Sequence, residues 1–354
     1  MTTNPEVSQA IAACDIFFAI YFGVINYLLY LCIQKYIEYM KKITIYTITA
    51  MLALQLGACR MGKDEVEQKT PEQIRLEQAT HIDTISLCMR VNPDTIEGRS
   101  KLDSLTADAW MLIDDSTGMV LSAKNAYSRR YMASITKMMT GLLALEYDHL
   151  NDTIAICDDV YINKDSRVKL GQAYLAGDLI REMMMISDND AAYALAKHTA
   201  GDTLTFYSLM NSKAVYLGMD STHFDNPNGM PNDSNYSSAR DLIVLARYCM
   251  RDSAFAEIVG TAEAQIPLTD GRHLDCRNSN ALIHTYDGCI GIKTGYTRQA
   301  GYCLASSATR GGHTLTLVLL GSRTFRSRFI ESAALLDYGF RVIEAYTRNV
   351  GNPS

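Results

Sequence analysis

The sequence predicts an α/β fold of the α+β kind: one mixed sheet flanked by helices, with a helical subdomain inserted between the first and last strands. Three observations predict it. Short apolar runs bounded by turn residues lie on both sides of the folded part, at 109–122 and again between 288 and 320. Helical periodicity dominates the interval from about 150 to 255. An amphipathic segment, roughly Arg326 to Tyr346, closes the folded part.

Each element has a local reason. Trp110 to Ile113 and Met119 to Leu121 form the arms of a hairpin around Asp115-Ser116-Thr117-Gly118. A helix opens near Ser134 and carries Met138, Met139, Leu142, Leu143 and Leu145 at helical spacing. Further helices are expected around 174–186, 189–200, 203–217 and 238–250, and strands at 288–294, 302–308 and 314–320. The cleft between sheet and helices is the natural place for a site.

The chain has 354 residues, 48% of them hydrophobic, and a net charge of −6. It holds enough apolar material for one large core or two modest ones. No Lys/Arg-rich run occurs, so nucleic acid is not expected as a partner. The seven histidines form no H-x-x-x-H pair, and the nine dispersed cysteines contain no C-x-x-C. Neither a zinc site nor any other metal is expected.

Residues 1–104 concern address. Ile16 to Ile33 is an apolar run just long enough to span a bilayer. After Met40-Lys41-Lys42 comes a second run, Ile43 to Ala58, ending in Leu56-Gly57-Ala58-Cys59. A positive start, an apolar core and small residues before a break describe a secretory signal over 40–58. The last four residues resemble the lipobox of bacterial lipoproteins, which makes Cys59 the expected lipidation site. On this reading Met40 is the true start and 1–39 an over-extended one. The alternatives are a genuine membrane helix at 16–33 and an ordinary buried Cys59. Residues 59–104 read as a lipidated tether and lead-in, 105–348 as the catalytic domain and 349–354 as a tail.

Three short motifs carry chemistry. In Ser134-Ile135-Thr136-Lys137 the serine and lysine stand at i and i+3 on one helical face, so the amine can reach the hydroxyl. A serine hydroxyl is a weak nucleophile and needs an adjacent base; lysine serves only if burial or a nearby cation lowers its pKa. By composition about one S-x-x-K arises per chain of this size. A second copy, Ser166-Arg167-Val168-Lys169, has no helix-period apolar run behind it and is assigned to a solvated loop or strand. Ser187-Asp188-Asn189 follows the apolar run 183–186; its serine can pass a proton to a leaving nitrogen and its asparagine can hold a carbonyl. Its bland reading is a helix start capped by Ser187. Lys293-Thr294-Gly295 ends a strand-like run and, on an edge strand, can bind a carboxylate and admit close backbone approach.

S-x-x-K, S-D-N and K-T-G in this order and context form the signature of penicillin-binding proteins and class A β-lactamases. The chain resembles the serine-type D-alanyl-D-alanine carboxypeptidases, the low-molecular-mass penicillin-binding proteins of peptidase family S11, over about 106–345. The resemblance is carried by Met111-Leu112-Ile113-Asp114, Asn189-Asp190-Ala191-Ala192, Phe224-Asp225-Asn226-Pro227-Asn228-Gly229-Met230 and Gly291-Ile292-Lys293-Thr294-Gly295-Tyr296-Thr297. It implies a β-lactamase/transpeptidase-like fold. Three positions depart from the pattern: Asp188 where these carboxypeptidases usually carry glycine, Met132 where they have proline, and Ile290 where they have aspartate. No E-x-x-L-N loop of the β-lactamases stands between the second and third motifs.

The resemblance implies removal of the terminal D-Ala from peptidoglycan stem peptides through an acyl-enzyme on Ser134, with no metal or cofactor and with β-lactams as covalent inhibitors. Ser134, Lys137 and Ser187 are the expected catalytic residues, and Asn189, Lys293, Thr294, Gly295 and Tyr296 the expected substrate-binding ones. Lys293 is expected to depress the pKa of Lys137, and Arg277 is the nearest guess for an accompanying arginine. The implied location is the bacterial envelope, at a membrane through the lipid on Cys59. The rival readings are an endopeptidase or β-lactamase of the same fold, and a non-catalytic peptidoglycan-binding protein.

Overall fold

The computed structural model describes residues 69–83, 92–160, 166–268 and 271–351. The two apolar runs and Cys59 lie outside the described residues. The segment read as tether and lead-in contains helix α1 (Pro71–Thr80). Thr70 and Gln73 form a reciprocal capping box, and Pro71 sits in the first turn. Ala79 is fully buried, and Arg75 Nε donates to the Tyr248 carbonyl at 2.9 Å. The helix is thus docked on the folded unit, which begins near Lys69. A short helix α2 (Arg99–Leu102) follows.

Strands β1 (Ala109–Asp114) and β2 (Val120–Lys124) form the expected hairpin. A 3₁₀ turn (Ala133–Thr136) then leads directly into α3 (Lys137–Tyr147). Next come β3 (Thr153–Ala155), β4 (Ala173–Leu175), α4 (Ala176–Ile186), α5 (Asn189–Ala200), α6 (Thr203–Tyr216), α7 (Ala239–Met250) and α8 (Ser253–Gly260). Asp188, Asp202, Ser238 and Asp252 cap α5 to α8, each accepting from an N–H of the first turn. The chain continues through β5 (Glu263–Pro267), β6 (His273–Arg277), α9 (Leu282–Thr285), β7 (Cys289–Thr297), β8 (Gly301–Arg310), β9 (His313–Ser322) and α10 (Phe325–Gly351).

The main sheet runs β2-β1-β9-β8-β7. It is antiparallel throughout rather than mixed: short turns join β1 to β2, β7 to β8 and β8 to β9, which excludes parallel crossovers there, and β1 also pairs antiparallel with β9. β1 lies inside the sheet and is buried along its whole length. Met111 and Ile113 face the helical region, while Trp110 and Leu112 share a second cluster with Leu317 of β9 and with Leu336 and Tyr338 of α10. Each such aliphatic side chain stabilises the fold by roughly 1.5–3 kcal/mol. β7, with the third motif, forms the sheet edge. The pairs β3–β4 and β5–β6 form two small separate sheets.

Candidate active site

The 3₁₀ turn presents Ser134 at the sheet–helix junction. Ala133, just before it, holds a left-handed φ of +49°, and Ser187 one of +73°. Such non-glycine conformations cost on the order of 1–3 kcal/mol and persist where surrounding structure fixes them. The 226–230 loop does so at Ala133. Gly229 (φ +84°) lies against the Ala133 carbonyl so closely that a Cβ there would collide with it. The loop folds on its own side chains: Asn226 Oδ1 accepts from Gly229 N–H at 2.6 Å, and Asn228 Oδ1 from Met230 N–H at 3.0 Å.

Lys137 is fully buried. Its Nζ lies 3.0 Å from Ser134 Oγ, 2.8 Å from Asn189 Oδ1 and 2.7 Å from the Asn228 carbonyl. Burial pushes its pKa down to about 7, against the opposing charge of Asp188. A neutral amine has two N–H donors and one lone pair. With the donors on Asn189 and Asn228, the lone pair is left for the serine hydroxyl.

The second motif bridges two helices. Ser187 ends α4, and Asp188, not Ser187, caps α5 by accepting from Asp190 N–H and Ala191 N–H at 2.9 and 3.1 Å. The same carboxylate accepts from Ser166 Oγ at 2.8 Å and Arg167 N–H at 2.8 Å. The second S-x-x-K copy is therefore no solvated loop. Ser166 is 3% exposed, because a carboxylate buried at Asp188 needs donors and this hydroxyl supplies one. Lys169 stays exposed, its Nζ returning to the Ser166 carbonyl.

Lys293 is buried, and its Nζ donates to the Thr294 carbonyl at 3.1 Å. Burial, Lys137 and Arg328 together hold its pKa well below the usual lysine range. Both lysines are held below the usual range, each chiefly by burial, and like-charge repulsion between the two amines acts in the same direction. A Cβ on Gly295 would stand 3.0 Å from Ser134 N and 3.1 Å from the Met132 carbonyl, so glycine permits this contact between β7 and the serine turn. Thr294 Oγ1 meets Ser279 Oγ at 2.8 Å, and Ser279 N–H donates to Met185 O at 2.8 Å, tying the third motif to the end of α4. The Tyr296 ring is half-exposed and stacks on Tyr302, with centroids 4.2 Å apart.

Arg277 is not the arginine of this site: its side chain is 72% exposed and lies 3.9 Å from Glu263. Arg328, in the first turn of α10, donates from Nη1 to the Gly295 carbonyl at 3.2 Å and packs among the rings of Tyr302, Phe325 and Phe329. Burial lowers its pKa to about 10. No local pattern marks Arg328 in sequence, since an arginine on an amphipathic helix reads as solvated face.

An antiparallel sheet edged by a lysine-bearing strand, with a serine–lysine pair at the head of the facing helix, is the fold of the DD-peptidases. Comparison with known proteins makes the assignment specific. Residues 96–324 match the family model of the peptidase family S11, D-alanyl-D-alanine carboxypeptidase, and the chain belongs to this family. It is 32% identical to D-alanyl-D-alanine carboxypeptidase DacF of Bacillus subtilis, over 69% of this chain and 65% of DacF. Identity to a D-alanyl-D-alanine carboxypeptidase of a Streptomyces species is 36%, over 67% of this chain and 88% of that one. The crystal structure of a Streptomyces DD-transpeptidase superposes with a TM-score of 0.63 at 33% identity, covering 67% of this chain and 97% of its own. The chain thus spans just under two thirds of DacF and most of the Streptomyces proteins.

Proposed function

We propose that the protein is a D-alanyl-D-alanine carboxypeptidase that trims peptidoglycan stem peptides through an acyl-enzyme on Ser134. The observation that carries this reading is the buried Lys137 amine, 3.0 Å from Ser134 Oγ with its other contacts taken by two acceptors. Lys137 takes the Ser134 proton as Oγ attacks the carbonyl carbon of the penultimate D-Ala. Negative charge gathers on the carbonyl oxygen, where the N–H groups of Ser134 and Tyr296 stabilise it. The C–N bond then breaks. The departing D-Ala nitrogen receives the proton from Lys137 by way of Ser187, and Lys293 with Thr294 binds the D-Ala carboxylate. Water attacks the resulting ester and frees Ser134.

A β-lactam acylates the same oxygen and, without an E-x-x-L-N loop to direct water, leaves slowly. The match to a Streptomyces DD-transpeptidase supports a second reading, in which an amine rather than water accepts the acyl group. The family and the Leu56-Gly57-Ala58-Cys59 sequence support a place in the cell envelope with a lipid on Cys59; the mass of the mature N-terminus tests the lipid. The deciding assay incubates the protein with defined muropeptides and with fluorescent penicillin. The expected result is D-Ala release and covalent labelling, both lost in Ser134→Ala. Labelling that persists in that variant would overturn the assignment of the nucleophile, and cross-linked product would favour the transpeptidase.

A further inference from the structure

We propose that Asp188 is a positioning residue for the reaction: its carboxylate clamps the Ser166–Arg167 segment to the first turn of α5 and thereby fixes Asn189, the acceptor that orients Lys137, and Ser187 beside it. This deepens the function proposed above and rests on it. Asp188 is 7% exposed, and four donors converge on it. Two are N–H groups of α5, Asp190 and Ala191, and two come from a segment more than twenty positions earlier, Ser166 Oγ and Arg167 N–H. The residue after the carboxylate, Asn189, holds Lys137 Nζ at 2.8 Å, and the residue before it is the strained Ser187.

The clamp has a second anchor. Arg167 Nη2 donates to the Asp275 carbonyl of β6 at 2.7 Å, and its Nε lies 3.4 Å from the buried carboxylate of Glu182 on α4. Cys276 Sγ donates to the other oxygen of Glu182 at 2.8 Å. The segment 166–167 therefore ties α4, α5 and β6 together, with Asp188 as the shared acceptor. A glycine at 188 would remove the acceptor of all four donors and leave Ser166 Oγ and Arg167 N–H without this partner. The Asp188 charge also works against the burial that lowers the pKa of Lys137. Among the described residues, ionisable groups coupled to this pair include Lys293 on β7, Glu182 on α4 and, paired with Glu182, Arg167.

The test compares Asp188→Ala, Asp188→Asn and Ser166→Ala with the unaltered chain, all rates taken per penicillin-titrated active site. Asp188→Ala is expected to slow acylation on the order of 10- to 100-fold, the scale of an ångström-level misplacement. Ser166→Ala, which keeps the cap and the charge, is expected to slow it a few-fold at unchanged KM. Asp188→Asn is expected to move the acid limb of the rate profile to lower pH, because the charge favouring protonated Lys137 is gone. NMR titration of ¹⁵N-labelled Lys137 reads the same shift whatever the protein hydrolyses, so it separates failure of this inference from failure of the carboxypeptidase reading. A merely structural Asp188 would lower Tm and the active fraction, yet leave the per-site rate and the Lys137 titration unmoved in all three variants. That result would overturn the proposal.

Discussion

The molecule contains the same four-residue pattern twice, and the two copies do opposite work. In Ser134-Ile135-Thr136-Lys137 the amine is fully buried, held by two acceptors and turned on its own serine. In Ser166-Arg167-Val168-Lys169 the lysine lies in solvent and folds back on its loop, while the serine hydroxyl is committed to Asp188. The spacing is identical, so spacing does not make the nucleophile. On the proposed mechanism, burial of the amine and the supply of acceptors around it do, and the acceptors come from segments far away in sequence.

The sharpest way to break this comparison is at the base. Lys137→Ala is expected to reduce acylation on the order of 10³-fold, whereas Lys169→Ala should leave it unchanged; stopped-flow measurement with a fluorescent penicillin reads both. The same contrast shows in pH. Lys137 is an effective base only when neutral, so kcat/KM should rise as pH increases through about 7. The unfolded chain, with an ordinary lysine value of 10.5, binds the extra proton between those two values. Stability should therefore rise with pH from about 7 to 10.5, and Lys137→Met should reduce that slope in denaturant titrations.

A smaller effect is expected at the contact that orients the first copy. In Gly295→Ala the new methyl would press on Ser134 N–H and the Met132 carbonyl, and acylation should fall on the order of 10²-fold with the fold retained. An unchanged acylation rate in that variant would show that β7 does not shape the oxyanion position.

Much of the fold was legible in sequence because periodicity and caps coincide there. The helices at 176–186, 189–200, 203–216 and 239–250 fall within two residues of the expected segments, and the three late strands follow the apolar runs. Helix α1 leaves little trace in the apolar pattern because its stretch is charged and only Ala79 is fully buried, although Thr70-Pro71-Glu72-Gln73 carries a start signal. The three-residue strands β3 and β4 are too short to show alternation. At the site, Ser134, Lys137 and Asn189 meet as their motifs suggested, and Gly295 stands against the serine turn. Ser166, Arg167 and Arg328 were not legible as parts of it, since each acts through a partner brought near only by tertiary folding.

The contacts of Lys137 reach partners 3, 52 and 91 positions away in the chain. An unfolded chain holds an ordinary, protonated lysine and an inert serine. On the proposed mechanism, reactivity is then acquired only when the 226–230 loop and the start of α5 close over the amine. It is lost again as soon as either lifts away, so acyl transfer reports on completion of the fold and is an early casualty of partial unfolding.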